Sequence, residues 1–206
     1  MIPQKLIDIK NYLKEQNLIL TKNHSDGRVN SIINEGELLK ILISKFSYIQ
    51  IPKERNWFDF SFEENNQFYP VNIKICTTKT TDNLSAKAGI YFALTGTILN
   101  SKSTSWEKYL YNLYLNIKET ESDYYFLVFN KDDNQDIVLT SLKKLQTLVP
   151  NGSNPPFQCC WNKNRVLVER DFEESCDFIL GTLGKTLKLK ADGIDSFRKY
   201  FSKYLC

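Results

Sequence analysis

The segment from Trp57 to Cys76 constrains the fold of this chain more than any other. WFDFSF alternates apolar and polar side chains, ENNQ has the composition of a turn, and FYPVNIKIC resumes the alternation. Alternation with a period of two is typical of a half-buried β-strand, and two such runs around a short turn predict a β-hairpin. A hairpin must bury one face, so the segment predicts a sheet packed against other elements.

Helical periodicity on both sides of the hairpin predicts what covers the sheet. Apolar residues recur at helical spacing over residues 2–16 and about 31–46, and LSAKAGIYFALTG predicts a helix ended by Gly96. DYYFLVFN predicts a buried strand, DIVLTSLKKLQTL a strand turning into a helix, and RVLVER a short strand. DFEESCDFILGTL and IDSFRKYFSKYL predict two C-terminal helices, while WEKYLYNLYLNIK fits both periods. We therefore expect an α/β fold, a single domain over residues 1–206 with a central mixed β-sheet flanked by helices.

Composition argues against several classes of protein. With 42% hydrophobic and 13% aromatic residues, the chain can bury a substantial core and is expected to be globular. We expect no membrane partner, because no apolar run approaches the roughly 20 residues that span a bilayer. The charged start MIPQKLIDIK lacks the apolar stretch of a secretory signal. These features predict a soluble cytoplasmic protein.

The cysteine and histidine counts narrow the chemistry. The five cysteines are Cys76, Cys159, Cys160, Cys176 and Cys206. Their odd number and the absence of a CxxC pair argue against a disulfide framework and a zinc site. A Ser-His-Asp or Cys-His mechanism would have to use His24, the single histidine of the sequence. The net charge of +3 permits a polyanionic partner without requiring one.

Three polar residues of the hairpin are the first candidates for chemistry. Because side chains alternate along a strand, Asp59, Asn72 and Lys74 are expected on one face of the hairpin. The apolar residues expected on the opposite face are Phe58, Phe60, Phe62, Val71, Ile73 and Ile75. A carboxylate, an amide oxygen and an ammonium group on one patch can hold a divalent cation and an attacking water. Mg²⁺ prefers oxygen ligands of this kind.

This arrangement resembles a known nuclease motif. Asp59, twelve intervening residues and then Asn72-Ile73-Lys74 on a strand are similar to the PD-(D/E)XK motif of type II restriction endonucleases. The resemblance covers about residues 26–96, and more loosely DYYFLVFN and NPPFQCCW. It implies a restriction-endonuclease-like fold and a Mg²⁺-dependent, site-specific deoxyribonuclease of a prokaryotic restriction-modification system. It also implies a homodimer, because one such site cuts one strand and a two-fold axis matches a palindromic duplex.

The sequence departs from the motif at two positions. Phe58 stands where the motif has proline, and Asn72 stands where it has aspartate or glutamate. Taking about 100° per residue, Glu35 points along the apolar stripe of the second helix, whereas Glu37 points about 160° away, toward solvent. Glu35 is therefore a candidate for the missing acid.

The resemblance assigns a role to each candidate. Asp59 ligates the metal, Lys74 orients or activates the water, and Asn72 and Glu35 complete the metal site. Structural interpretations stay open beside these roles. Asp59 and Lys74 also fit an ordinary cross-strand ion pair, and Glu35 fits an acid favoured near a helix N-terminus.

DNA contacts are predicted in a second part of the chain. VPNGSNPPFQCCWNKNR, residues 149–165, reads as a loop rich in amides, with Trp161 as an anchor, and amide and Arg side chains suit base edges in the major groove. The predicted DNA-binding residues are Asn151, Asn154, Gln158, Asn162, Asn164, Arg165, Lys79, Asn83, Lys87 and Arg28. The same stretch also fits a turn-rich connection with Trp161 packed beneath it.

Three other functions stay open on the sequence alone. Asn72 favours a DNA-binding protein on the same fold that no longer cuts. A repair or junction nuclease would share the motif. The mild charge also allows an interaction module with no nucleic-acid role.

Overall fold

The computed structural model describes residues 1–16, 27–53, 56–84, 87–99 and 105–204, with side chains in the second helix described from residue 33 onward. The helices in these ranges are α1 (Gln4–Glu15), α2 (Gly27–Lys45), α3 (Lys87–Thr95), α4 (Trp106–Asn116) and α5 (Phe172–Phe201). The strands are β1 (Phe60–Glu64), β2 (Gln67–Cys76), β3 (Thr81–Leu84), β4 (Tyr125–Asn130), β5 (Asp133–Ser141), β6 (Val149–Pro150) and β7 (Phe157–Cys160).

The central sheet has four strands in the order β1-β2-β4-β5. The pairs β1–β2 and β4–β5 are antiparallel, whereas β2 and β4 run parallel. The parallel pair needs a long crossover, which α3 and α4 provide. The chain is thus a single α/β domain with a mixed sheet flanked by helices, as predicted. None of the helices in the described ranges is long and apolar enough to cross a membrane.

The predicted hairpin is confirmed, and its turn is explained by two asparagines. Asn65 and Asn66 have φ angles of 52° and 60°. Two successive residues with left-handed φ angles form a two-residue turn whose twist matches that of the flanking strands. Asparagine tolerates this conformation better than most residues. The turn sets the register, in which Glu64 pairs with Gln67 and Phe60 with Val71.

Both faces of the central sheet are buried. Helices α1 and α2 cover one face, where Leu6, Leu38 and Leu42 pack against Phe60 and Phe62. Helices α3, α4 and α5 cover the other face. That core includes Leu94, Leu113, Ile179, Phe126 and Val128.

One prediction about the hairpin faces is wrong. Phe58 does not share a face with Phe60 and Phe62 but belongs to the core under α3 to α5. Strand β1 begins only at Phe60, and the chain bends over residues 57–59. Because the alternation of a strand does not extend through a bend, Phe58 turns to the opposite side of the sheet.

The C-terminal half differs from the sequence prediction in several elements. Residues 149–165 are not all loop, because β6 and β7 join β3 in a second, antiparallel sheet of order β3-β7-β6. RVLVER forms no strand, and WEKYLYNLYLN is helical. The strand β5 ends in a short 3₁₀ turn, Leu142–Lys144, instead of a longer helix. The two predicted C-terminal helices are one continuous helix, α5, which begins with a capping box of Asp171 and Glu174.

The contact between α3 and the central sheet yields a stability prediction. A Cβ atom added at Gly89 would clash with the ring of Tyr124, which is buried, whereas one added at Gly181 in α5 would meet nothing within 4 Å. We expect Gly89→Ala to lower the free energy of unfolding by about 1–3 kcal/mol. The matched Gly181→Ala should raise it by about 0.5–1 kcal/mol through helix propensity. Denaturant unfolding of both variants checks this, and a stabilising effect at Gly89 would contradict the close packing.

Candidate active site

Asp59 occupies the place where β1 stops pairing with β2. The backbone pairing ends at Phe60 and Val71. Beyond this pair, the side chain of Asp59 accepts hydrogen bonds from β2. Asp59 Oδ2 accepts hydrogen bonds from the backbone N–H of Ile73 at 2.6 Å and from Asn72 Nδ2 at 2.8 Å. The backbone N–H of Asp59 donates to Val71 O at 2.9 Å. The bend before β1 therefore fixes this carboxylate against the edge of β2.

Opposing effects act on the ionisation of Asp59. Burial raises the pKa of the carboxyl above its usual range, while the N–H of Ile73 and the charge of Lys74 lower it. Two donors and a nearby ammonium group thus partly compensate for the cost of burying this carboxylate.

Lys74 is held by β3, which follows β2 after a short turn. Lys74 Nζ donates to the backbone carbonyl of Asn83 at 3.3 Å and lies 4.0 Å from Asp82 Oδ2. The same oxygen of Asp82 accepts from Trp161 Nε1 at 3.0 Å. Trp161 is fully buried, so it holds Asp82 in place. Strand β3 thereby positions an acid and a carbonyl around the ammonium group.

Glu35 joins the same group of charges from α2. Burial, together with the charges of Asp59 and Asp82, raises its pKa from 4.5 to about 7, although the charge of Lys74 opposes this shift. Glu35 is half-buried, whereas Glu37 is exposed, as helical geometry predicted. The charges of Asp59, Lys74 and Asp82 therefore all act on Glu35, although the four residues come from α2, the bend before β1, β2 and β3.

Asn72 has a different place from the one a motif acid would take. Its amide nitrogen donates to Asp59, which leaves its amide oxygen as a possible ligand. An ionised carboxylate at this position would lie beside Asp59 but could not donate a hydrogen bond to it. Glu35, on which the charge of Asp59 acts, is another carboxyl group near this position.

The donor set fits a hard divalent cation. Glu35, Asp59, Asp82 and the amide of Asn72 offer oxygen atoms, and the raised pKa of Glu35 arises first from burial and then from the negative charges of Asp59 and Asp82. In the described part of the chain, no three His, Cys, Asp or Glu side chains converge closely enough to hold a metal on their own. Mg²⁺ accepts such an open site, because it keeps several waters and takes other ligands from substrate phosphate.

The raised pKa of Glu35 gives a pH-dependent prediction for metal-free protein. An acid whose pKa is raised on folding favours the folded state below its unfolded pKa of 4.5, and this contribution is lost as pH rises through about 7. In EDTA, Glu35→Gln should therefore unfold with a free energy about 1–2 kcal/mol higher than wild type at pH 8, allowing for solvent screening. Near pH 5 most of this difference should vanish.

Denaturant unfolding at the two pH values measures this effect, with Glu37→Gln as the matched control. Parallel stability curves for Glu35→Gln and wild type across this pH range would contradict the electrostatic description of the site.

A cleft of about 210 Å³ opens beside Asn72 and Lys74. The residues that line it are Asn56, Trp57, Asn72, Lys74, Leu84, Tyr124 and Phe126. Tyr124 donates a hydrogen bond from its hydroxyl to Trp57 O at 2.6 Å, which ties β4 to the segment before β1. Sequence reasoning missed Trp57 and Tyr124. The parallel pairing of β2 with β4, in which Asn72 lies opposite Phe126, brings Tyr124 to the cleft. No pattern of neighbouring residues predicts this pairing.

Three of the predicted DNA-binding residues form a polar row on the second sheet. Asn83 of β3 pairs directly with Gln158 of β7, so their side chains share one face of the second sheet. Asn151 Nδ2 donates to Asn83 Oδ1 at 2.8 Å. We call Asn83, Gln158 and Asn151 the amide row. Asn154 is exposed nearby, and its N–H donates to Asn151 Oδ1 at 3.0 Å.

The prediction that Asn164 contacts DNA is wrong. Its side chain is fully buried, where Oδ1 accepts from the N–H of Thr147 at 2.8 Å and Nδ2 donates to Cys160 O at 2.9 Å. Trp161 is buried beside it rather than exposed as an anchor. Amides that pack inside a turn-rich segment cannot be told by sequence from amides on its surface, because both satisfy backbone groups.

Arg165 and Asn162 are engaged with each other and with β5. Arg165 contacts both carboxylate oxygens of Asp136, at 2.6 and 2.7 Å, and this pairing raises the pKa of the guanidinium group. Asn162 Oδ1 accepts from Arg165 Nη2 at 2.7 Å. Both residues tie the segment to the central sheet, so neither forms part of the amide row.

The predicted phosphate contacts have different surroundings. Lys79 is exposed in the turn between β2 and β3. Lys87 lies with Nζ 3.9 Å from the ring centroid of Trp106, a cation–π contact that already uses its charge. The side chain of Arg28 and the whole of His24 lie outside the described residues.

In comparisons with known proteins, no family model matches this chain and no curated protein matches it. The functional assignment therefore rests on the residues and geometry of the site itself.

Proposed function

We propose that this protein is a Mg²⁺-dependent endonuclease that hydrolyses phosphodiester bonds in double-stranded DNA at specific sites, in the manner of a type II restriction enzyme. The observation that supports this most is the grouping of Glu35, Asp59 and Lys74 at the open edge of β2. The spacing of Asp59 and Lys74 resembles that of the PD-(D/E)XK motif, and in this proposal Glu35 of α2 takes the role of the acid that Asn72 does not provide.

The residues divide the chemistry between metal binding and substrate orientation. Asp59, Glu35 and the amide oxygen of Asn72 would hold Mg²⁺, which supplies positive charge at the scissile phosphate and lowers the pKa of a bound water. Asp59 is fixed in advance by its two hydrogen bonds, so little reorganisation is needed on binding.

Lys74 provides the hydrogen-bond donors of the site. Its ammonium group donates one hydrogen bond to Asn83 O and lies near Asp82. Its other N–H donors would contact a water or a phosphate oxygen in the cleft. In the hydrolysis, the water oxygen bonds to phosphorus as one P–O ester bond breaks, and the departing oxygen takes up a proton. Lys74 orients the water and stabilises the negative charge on the phosphate oxygens.

The amide row supplies the recognition surface in this proposal. Asparagine and glutamine side chains can each make two hydrogen bonds to adenine in the major groove. Asn83 belongs to the strand that also holds Lys74, so base contacts and the cleavage site are connected through β3. Lys79, in the turn that leads into β3, would contact phosphate.

Sequencing the ends of digested DNA tests this function. With Mg²⁺ and a long unmodified duplex, we expect discrete fragments whose ends share one short sequence. Nicks that depend on DNA structure rather than sequence would point to a repair or junction nuclease instead.

A second candidate function follows from Asn72. If the exchange of an acid for an amide has abolished catalysis, the protein binds DNA on the same surface without cutting it. Gel retardation that weakens steeply with salt, together with intact DNA after incubation with Mg²⁺ or Mn²⁺, would support this candidate.

A further inference from the structure

The second half of α5 carries an apolar stripe that no other described part of the chain covers. The first half packs on the core with Ile179, Thr182, Leu183 and Thr186, all at most 8% exposed. The last contact with the domain lies near Leu189, whose Cβ approaches Gly152. From Ala191 to Tyr204 every residue is exposed.

The exposed stripe continues the buried face of the same helix. Each of the four buried residues has an aromatic residue five turns later, at roughly 18 residues for 3.6 residues per turn. These aromatic residues are Phe197, Tyr200, Phe201 and Tyr204. The first half of this helix face packs on the core, and the second half is aromatic at the equivalent positions. This pattern indicates that the second half is also buried against another surface.

Charged residues of this half of the helix project from outside the stripe. At about 100° per residue, Asp192, Asp195, Lys199 and Lys203 point away from its centre and Arg198 lies on one flank. From the side, the ammonium groups of Lys199 and Lys203 reach within 5.2 and 4.8 Å of the ring centroids of Tyr200 and Tyr204. Phe197 and Phe201 contact each other within the stripe, with ring centroids 5.3 Å apart. A DNA partner is disfavoured, because phosphates would seek the charged face rather than the aromatic one.

The exposed area is sufficient for pairing with an identical helix. Ile194, Phe197, Tyr200, Phe201 and Tyr204 are 43–68% exposed. Since an aromatic side chain buries 150–250 Å² in full, each leaves about 100 Å² to cover, or roughly 1,000 Å² for two copies before flanking residues are added. Exposed apolar patches of several hundred Å² mark interaction sites.

We propose that the stripe of Ile194, Phe197, Tyr200, Phe201 and Tyr204 is the homodimer interface, with a second copy of this chain as its occupant. Two copies can meet along it around a two-fold axis, because between Ala191 and Tyr204 no charged residue projects from its centre, and Lys199 and Lys203 reach the rings of Tyr200 and Tyr204 only from the side. Gly193, at the margin of the stripe, has open space at its Cβ position and allows the backbones to approach closely. This interface is inferred from the packing of α5. Only its role in bringing two active sites to one duplex rests on the proposed function.

Sedimentation equilibrium of the full chain, without DNA, tests the interface. We expect a species of twice the 24.1 kDa chain mass at micromolar concentrations, that is, about 1–100 µM. The double variant Phe197→Glu/Phe201→Glu should weaken self-association by at least about 100-fold. The matched control Ser196→Glu/Ser202→Glu adds the same charge on the polar side and should leave the dimer intact.

Circular dichroism of the double variant checks that α5 and the domain stay folded. A wild-type chain that sediments as a monomer would overturn the interface, and so would a folded double variant that still dimerises. The result is separable from nuclease activity. A dimer that does not cut DNA would keep the interface and reject the proposed function, whereas a monomer that cuts would do the reverse.

Discussion

Asp59→Asn is expected to reduce DNA cleavage by at least about 1,000-fold. The substitution keeps the shape of the side chain and an oxygen that can accept from the N–H of Ile73, so the bend before β1 should survive. It removes the negative charge that would bind the metal. Ground-state DNA binding should change little, because the metal and water positioned by Asp59 contribute mainly to the transition state.

Lys74→Met should cause a loss of similar size for a different reason. Methionine has a comparable apolar stem, but it lacks the ammonium group that orients water and lies near Asp82. Cleavage rates measured under single-turnover conditions, beside gel retardation, separate catalysis from binding. Asp132→Asn and Lys118→Met, at exposed positions, serve as controls. Near wild-type cleavage by either site variant would show that the site is assigned incorrectly.

Glu35→Gln is expected to reduce cleavage by about 100- to 1,000-fold, while Glu37→Gln should have almost no effect. The two residues lie two positions apart on α2, yet Glu35 is half-buried beside Asp59 and Glu37 is exposed. Because Asn72 brings no charge, the site depends on Glu35 for a second carboxylate. Single-turnover rates with increasing Mg²⁺ measure the loss, and we expect that high Mg²⁺ only partly restores the rate of Glu35→Gln.

Two other outcomes would redirect the interpretation of Asn72. If the unmodified protein is inert and Asn72→Asp creates cleavage, then Asn72 is an inactivating change and Glu35 does not compensate for it. If cleavage is robust and unaffected by Glu35→Gln, the second acid lies elsewhere. Asp82 is then the first residue to replace, because it already approaches Lys74.

Local sequence patterns were sufficient to predict the hairpin and its polar patch. Two asparagines at the turn, alternation in β2 and helical spacing around Glu35 are properties of neighbouring residues. They predicted Asp59 and Lys74 on one patch with Glu35 pointing inward, and in the structure the charges of Asp59 and Lys74 both act on Glu35. The mixed sheet followed from the order of the elements.

What the sequence did not predict depends on contacts between distant segments. At the bend that separates Phe58 from Phe60, the side chain of Asp59 accepts the hydrogen bond of the Ile73 N–H, and no local sequence pattern predicts this contact. The second sheet forms only because β3 meets β7 from about 75 residues away, pairing Asp82 with Cys159. The prediction that Arg165 contacts DNA rested on composition. Its partner Asp136 belongs to β5, so no pattern of neighbouring residues shows that the two form an ion pair.

The most direct test of the central claim is digestion of plasmid DNA by the purified chain. Wild-type protein with Mg²⁺ should convert supercoiled plasmid to discrete linear fragments. The same protein with EDTA, and Asp59→Asn with Mg²⁺, should leave the plasmid intact under identical conditions. Cleavage that persists in EDTA or in Asp59→Asn would contradict a metal site at Asp59. Plasmid left intact by wild-type protein with Mg²⁺ would contradict the nuclease function.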